Sequence, residues 1–194
     1  MFYVTGLGEP EGPVSLPDGS WLCVEMAAAC GCITHISADG RQKRVVARTG
    51  RPNGLAVDRD GHIWVAESST PSLLRVTLDG RVETFLTGCD GEPFLFPNDL
   101  AFGPDGALYM TDSGIRIEAF APGGRLRADY ASIMADGRVY RIDLKTKAIR
   151  KLDSGIRFAN GIAFGPDNYL YANETLTGMV YRYAWKGGDD IGSR

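Results

Sequence analysis

The chain has 194 residues, 44% of them apolar, and its 21 basic against 24 acidic side chains leave a net charge of −3. This length suits one domain with a sizeable core, and the balanced charge excludes a strongly basic surface for nucleic acid or an anionic membrane. No apolar run reaches the roughly 18–20 residues that span a bilayer, and residues 1–9 lack the basic and apolar regions of a secretory signal. The composition therefore predicts a cytoplasmic protein that binds neither nucleic acid nor membranes.

Signatures of common enzyme classes are absent from the sequence. It contains no HExxH zinc motif, no phosphate-binding P-loop and no GxSxG nucleophile elbow. Cys30 and Cys32 could form half of a metal site, but no second Cys or His pair follows at zinc-finger spacing. We expect all four cysteines to be reduced thiols.

An internal repeat organises the chain. Its copies begin at Glu11, Asn53, Asn98 and Asn160. Each copy has an aspartate seven residues after its start and a second acid fourteen residues after it, namely Glu25, Glu67, Asp112 and Glu174. Because the acids fourteen residues on recur in every copy, their default interpretation is structural.

Each copy has the pattern of a strand pair followed by a second strand pair. In the second copy a short apolar strand over residues 55–57 meets a turn at Asp60 and Gly61, and an aromatic-rich strand returns. A further pair follows at residues 74–77 and 82–85. Four strands per repeat of this length are typical of a β-propeller blade. The predicted fold class is an all-β propeller, because no stretch has sustained helical periodicity.

The predicted domain organisation is one incomplete propeller over residues 1–194. The longer step between the third and fourth copies predicts an insertion at about residues 113–136, either a lid over the site or a loop packed on a neighbouring subunit. The fourth copy lacks its last strand, and residues 2–4 have the pattern of a strand that completes a terminal blade. Unpaired blade edges of this kind predict possible self-association.

The repeat starts also carry a resemblance to the regucalcin/gluconolactonase family of six-bladed propellers, which are metal-dependent lactone hydrolases. Glu11 stands in a segment similar to the family's opening segment, whose glutamate binds the metal. Asn98 and Asp99 resemble its substrate-side Asn-Asp pair, and Asn160 resembles its second metal ligand. The resemblance covers essentially the whole chain and implies four visible blades of six. The family's third ligand is an aspartate about one blade further on, which the resemblance also makes the general base, and it would follow residue 194.

This resemblance implies a metal-dependent hydrolase of lactones or related esters. Its metal ligands would be Glu11, Asn160 and Asn98, with Asn98 and Phe96 on the substrate side. Asp99 and Asp112 are the catalytic candidates within the chain. Equivalent positions of successive blades converge at the propeller axis, and oxygen ligands favour Ca²⁺, with Zn²⁺, Mg²⁺ or Mn²⁺ as alternatives.

Phe96 departs from the family pattern, because members that act on sugar-acid lactones tend to have arginine there. Arginine offers a forked array of donors for hydroxyl groups, whereas phenylalanine offers an apolar wall. The substitution favours a more apolar lactone or ester as the small-molecule substrate.

Other interpretations stay open at this point. The asparagines at the repeat starts could satisfy backbone groups at turns, and Glu11 could be a surface or ion-paired residue. The repeat is also similar to NHL-type repeats, so a non-catalytic binding propeller is an alternative. A third alternative is an inactive, truncated form of the hydrolase.

Overall fold

The regular structure of the protein is nearly all β-sheet. A computed structural model describes residues 3–194, which form four consecutive antiparallel sheets, a two-stranded hairpin and three short helical segments. The first strand of each sheet contacts the first strand of the next sheet, so the sheets are arranged radially around one axis. The predicted all-β propeller is confirmed, and the four sheets are its blades.

Blades 1 and 2 are four-stranded meanders, in which each strand pairs with the strand before it. Blade 1 consists of β1 (Pro10–Ser15), β2 (Trp21–Glu25), β3 (Cys32–Ile36) and β4 (Lys43–Arg48). Blade 2 consists of β5 (Pro52–Val57), β6 (Ile63–Glu67), β7 (Ser72–Val76) and β8 (Val82–Leu86). A short hairpin that the sequence did not predict follows, with strands β9 (Gly88–Cys89) and β10 (Glu92–Pro93).

Blade 3 again has four strands, whereas blade 4 has three within the described residues. Blade 3 consists of β11 (Pro97–Phe102), β12 (Leu108–Asp112), β13 (Gly137–Ile142) and β14 (Ile149–Ile156). Blade 4 consists of β15 (Ala159–Phe164), β16 (Tyr169–Glu174) and β17 (Met179–Ala184). The number of strands in each blade agrees with the pattern of the sequence repeat.

The connection between β12 and β13, residues 113–136, is the longest one in the described part of the chain. It contains the helix α1 (Ile117–Phe120) and 3₁₀ turns at Pro122–Gly124 and Tyr130–Ser132. The ring of Phe120 packs on Phe158, with 4.4 Å between the ring centroids. Because Phe158 directly precedes β15, the segment lies at the end of the propeller where the inner strands begin.

The inner hairpin of each blade turns where the sequence predicts. Gly19, Gly61 and Gly106 have φ values of +83°, +83° and +75° in three of these turns. In the fourth turn Asn168 has φ +61°. These left-handed values explain the residue types, since glycine and asparagine adopt them at the lowest cost.

Three apolar cores lie between successive blades and hold them together. Trp64 and Tyr109, which stand eleven residues after their repeat starts, are buried in two of these cores. The Trp64 ring meets Phe85 edge-on at 4.8 Å between centroids. Their equivalent in blade 4, Tyr171, is only partly buried, because no blade among the described residues covers that side.

Residues near the amino terminus lie along blade 1. The Tyr3 hydroxyl donates to the carbonyls of Ser37 and Ala38, at 2.8 Å each. Of the strand predicted over residues 2–4, Phe2 lies outside the described residues, and Tyr3 and Val4 belong to no strand. In the described part of the chain, no helix is long and apolar enough to cross a membrane.

Neighbouring blades approach each other most closely at the axis. A Cβ atom on Gly54 of β5 would lie 2.5 Å from Asp99 Oδ1 and 2.7 Å from the carbonyl oxygen of Asn98, both in β11. Such distances are too short for any side chain. Glycine at this position therefore permits the packing of blade 2 against blade 3.

We predict that Gly54→Ala lowers the free energy of unfolding by about 1–3 kcal/mol or more, because the added methyl group meets backbone atoms. Gly61→Ala is the matched control: its Cβ would meet open space, and only its φ of +83° is unfavourable, a cost of about 1 kcal/mol. Urea unfolding of both variants measures the difference. An equal loss in the free energy of unfolding for both variants would contradict the close approach of the blades at the axis.

Candidate functional site

A β-bulge at the start of each inner strand directs side chains toward the axis. The register of the first two strands shifts between Pro52 and Leu55 in blade 2, between Pro97 and Leu100 in blade 3, and at the corresponding point of the other blades. Bulges bend a strand and re-aim its side chains, and they are frequent beside functional sites. The repeat starts identified in the sequence lie at or next to these bulges.

The bulges surround one cavity of about 560 Å³ at the axis. It is lined by Glu11, Gly12, Pro13, Asn53, Gly54, Asn98, Asp99, Asn160, Gly161, Asn173, Glu174, Thr175, Gly178, Met179 and Val180. Three carboxylates and four asparagine side chains face it, and no lysine or arginine lines it among the described residues. A site of this charge and donor type suits a cation with a preference for oxygen ligands.

The three predicted metal ligands line this cavity together. Glu11 is exposed, and no basic side chain lines the cavity beside it among the described residues. Asn98 is 2% exposed and Asn160 is partly exposed. Because their sequence separation is large, only the radial arrangement of the blades brings them to one place.

Hydroxyl groups hold two of the asparagine side chains. Asn98 Nδ2 donates to Ser113 Oγ at 2.9 Å, and Asn160 Nδ2 donates to Thr175 Oγ1 at 2.9 Å. In both blades the hydroxyl stands fifteen residues after the asparagine. The amide nitrogen is thus engaged, which leaves the amide oxygen as the group that can bind a ligand. The sequence carries this signal only as the fifteen-residue spacing between each asparagine and its hydroxyl partner.

Asp99 lies in the cavity wall and joins blade 3 to blade 4. Its Oδ2 accepts the Ile162 N–H at 3.0 Å, and its Oδ1 accepts the Leu100 N–H at 2.8 Å. Burial raises the pKa of Asp99 above the ordinary aspartate value, and the nearby Glu11 carboxylate raises it further. These effects outweigh the two hydrogen bonds, so a proton is held here more tightly than on an exposed aspartate.

Asp112, the other catalytic candidate, does not line the cavity. Its two oxygens accept the backbone N–H groups of Leu95, Phe96 and Gly114 at 2.8–3.0 Å, and it is fully buried. Burial raises the pKa of Asp112, against the effect of these hydrogen bonds. It ties the loop before β11 to the end of β12.

The equivalent acids make similar bonds to the loops before their own inner strands. Glu67 accepts the Arg51 N–H at 2.8 Å, and Glu25 accepts the Gly8 N–H at 2.7 Å. Glu174 accepts the Arg157 N–H at 2.6 Å, although it also lines the cavity. The recurrence of these acids in every copy therefore has a structural cause.

Phe96, the substrate-side candidate, lies beside the cavity and does not line it. It is 3% exposed and meets the Phe158 ring edge-on at 5.7 Å between centroids. The guanidinium of Arg51, which directly precedes β5 of blade 2, lies 5.5 Å from the centroid of the Phe96 ring. The structure thus places a basic group next to the position where the family pattern has an arginine, although it comes from another blade.

A second group of metal-binding side chains lies at the opposite end of blade 2. Donor atoms of Asp58, Asp60 and His62 all lie within 4.8 Å of one another. However, Asp58 already accepts hydrogen bonds from the N–H groups of Asp60 and His62 and from Trp64 Nε1, at 2.9 Å each. These bonds are those of a hairpin turn, and we assign the group no function.

Comparisons with known proteins agree with this architecture. Residues 10–194 match the family model described as SMP-30/Gluconolactonase/LRE-like region. The chain is 27% identical over 190 residues to the gluconolactonase of Zymomonas mobilis, an alignment that covers 90% of this chain and 51% of that protein. It is 31% identical over 169 residues to the strictosidine synthase-like protein 13 of Arabidopsis thaliana, covering 83% of this chain and 40% of the relative.

Among solved structures, the chain is similar to regucalcin of Agrobacterium tumefaciens, which is described as a calcium-binding protein. The TM-score is 0.70 at 21% identity, over 97% of this chain and 57% of regucalcin. The chain spans 51% of the Zymomonas gluconolactonase and 40% of the Arabidopsis relative, which is about half of their length or less. Because the family model matches nearly its whole length, the chain belongs to the SMP-30/gluconolactonase/LRE-like family.

Proposed function

We propose that the axial cavity binds a divalent cation, with calcium as the first candidate, and that the protein hydrolyses lactones or related esters. The observation that supports this most is the convergence of the Glu11 carboxylate and the asparagine side chains on one cavity that no basic side chain of the described residues lines. The gluconolactonase among its relatives supports the reaction class. The calcium-binding regucalcin, which has the same fold, supports the cation.

The donor set fits a hard cation. Calcium in proteins takes six to eight oxygen ligands from carboxylates, amide carbonyls and water, typically at about 2.3–2.6 Å. Glu11 supplies a carboxylate, and Asn98 and Asn160 supply amide oxygens. No cysteine or histidine lines the cavity within the described residues, which disfavours softer metals. A bound divalent cation would polarise the lactone carbonyl as a Lewis acid.

Asp99 is our candidate for the general base. It lines the cavity, and in the absence of a cation its pKa is raised by burial. Bonds from Ile162 and Leu100 fix both of its oxygens, so the carboxylate is already oriented before a substrate binds. In the proposed reaction Asp99 accepts a proton from the water that attacks the carbonyl. Asp112 is less suited, because it is fully buried and does not line the cavity.

The ionisation of Asp99 determines how the activity depends on pH. The base must be ionised, so the rate rises with pH as Asp99 loses its proton. Without a cation, burial and the Glu11 charge raise the pKa of Asp99. A bound divalent cation would act in the opposite direction, so calcium should move the ionisation of Asp99 toward lower pH.

We predict that calcium raises the melting temperature of the protein, because a ligand bound by the native state alone stabilises that state. A concentration about 100 times the Kd would add ~2.7 kcal/mol to the free energy of unfolding. Glu11→Gln should weaken calcium binding on the order of tenfold or more, because one formal charge is lost. Titration calorimetry measures this directly.

Glu9→Gln is the matched control, since it removes the same charge from an exposed residue that does not line the cavity. It should bind calcium as the unchanged protein does. Equal effects of the two substitutions would mean that only the overall charge matters, and that Glu11 is not a ligand.

A second prediction concerns the base. Asp99→Asn should lower the hydrolysis of lactones by about 10²–10⁴-fold, the usual contribution of general base catalysis, while calcium still binds. Glucono-δ-lactone and an unsubstituted alkyl δ-lactone, assayed side by side, test the substrate class. Asp60→Asn, at an exposed turn far from the cavity, serves as the control.

The outcomes separate the candidate functions. Calcium binding together with lactone hydrolysis supports the proposal. Calcium binding without hydrolysis of either lactone would support a non-catalytic binding propeller or an inactive, truncated hydrolase. Full activity of Asp99→Asn would show that another group takes the proton.

A further inference from the structure

We infer that Ser113 is a positioning residue that fixes the side-chain amide of Asn98 with its oxygen toward the axial cavity. The inference builds on the cation site proposed above and concerns how one of its ligands is held. It depends on a chain of two hydrogen bonds between buried groups. Asn98 Nδ2 lies 2.9 Å from Ser113 Oγ, and Ser113 Oγ lies 2.9 Å from the carbonyl oxygen of Ala159.

The direction of these bonds follows from the chemistry of the groups. A serine hydroxyl has one proton, and the Ala159 carbonyl can only accept, so the proton of Ser113 points to Ala159. Ser113 Oγ can therefore only accept from Asn98, and only the amide nitrogen of Asn98 can donate. If the Asn98 amide were turned by 180°, its oxygen would face Ser113 Oγ, and two acceptors would lie against each other. The amide oxygen is thus directed away from Ser113.

Burial of Asn98 and Ser113 leaves the Asn98 amide only this orientation. Asn98 is 2% exposed and Ser113 is fully buried, so no bulk water can replace a lost partner. Since Asn98 also lines the cavity, its oxygen is the polar atom that it can present there. The Ala159 carbonyl belongs to blade 4, so the contact between blades 3 and 4 orients a ligand that belongs to blade 3.

The other repeats do not fix their asparagines in this way. In blade 2, Ser68 Oγ donates to the Arg51 carbonyl at 2.8 Å and accepts from Arg51 Nη1 at 3.3 Å, so its bonds go to Arg51 and not to Asn53. In blade 4, Asn160 donates to the exposed Thr175. Asn98 is therefore the one repeat asparagine with a buried, one-directional partner among the described residues.

The main experiment compares calcium binding of Ser113→Ala and Ser68→Ala by titration calorimetry. Both substitutions remove a buried hydroxyl at the same repeat position. Ser113→Ala releases the Asn98 amide, and we expect calcium affinity to fall about fivefold, as for the loss of one typical hydrogen bond. Ser68→Ala should leave the affinity within about twofold of the unchanged protein, since its bonds do not involve an asparagine side chain.

Replacing the amide by a carboxylate separates positioning from a general structural effect. In Asn98→Asp both ends of the side chain are acceptors, so its orientation no longer matters. Adding Ser113→Ala to this variant should then leave calcium affinity within about twofold. The inference would be overturned if Ser113→Ala lowered calcium affinity equally in the unchanged protein and in Asn98→Asp.

A measurement without calcium keeps the inference independent of the proposed function. In NMR spectra of the calcium-free protein, the Asn98 side-chain amide protons should exchange slowly with solvent, and Ser113→Ala should remove this protection. Rapid exchange in the unchanged protein, or the same protection in both proteins, would overturn the inference. Slow exchange that depends on Ser113 in a protein that binds no calcium would support the positioning role and refute the cation site.

Discussion

The close approach of the blades at the axis is the constraint on which the rest of the structure depends. Between blades 2 and 3 it requires glycine, because Gly54 faces the backbone of β11. Between blades 3 and 4 it is secured by side chains that bond to the backbone of β15. Asp99 accepts the Ile162 N–H, and Thr111 and Ser113 donate to the carbonyls of Asn160 and Ala159.

These same contacts determine what the cavity can do. The bulge at the start of each inner strand turns the repeat's first residue toward the axis, and the contacts between blades hold it there. The amide groups of Asn98 and Asn160 each have their nitrogen engaged by a hydroxyl. In our account the cation site is therefore a consequence of how the blades pack, and Asp99 serves both the packing and the chemistry.

Much of the fold could be predicted because the repeat encodes it locally. The alternation of apolar residues, the turn glycines and Asn168 determine strands and turns within each blade. The hairpin β9–β10 was missed, since its strands have only two residues each and no alternation to detect. The convergence of Glu11, Asn98 and Asn160 on one cavity was expected from propeller geometry, and the structure places all three there. The positions of Phe96 and Asp112 outside the cavity depend on loop packing and ring stacking, which no spacing in the sequence expresses.

The central claim is that the repeat starts form one cation site at the axis. Anomalous diffraction from crystals soaked in terbium, a luminescent and strongly scattering substitute for calcium, tests it most directly. We predict a peak in the axial cavity, at about 2.3–2.6 Å from oxygens of Glu11, Asn98 and Asn160. No peak in the cavity, or a peak only at the group of Asp58, Asp60 and His62, would contradict the account.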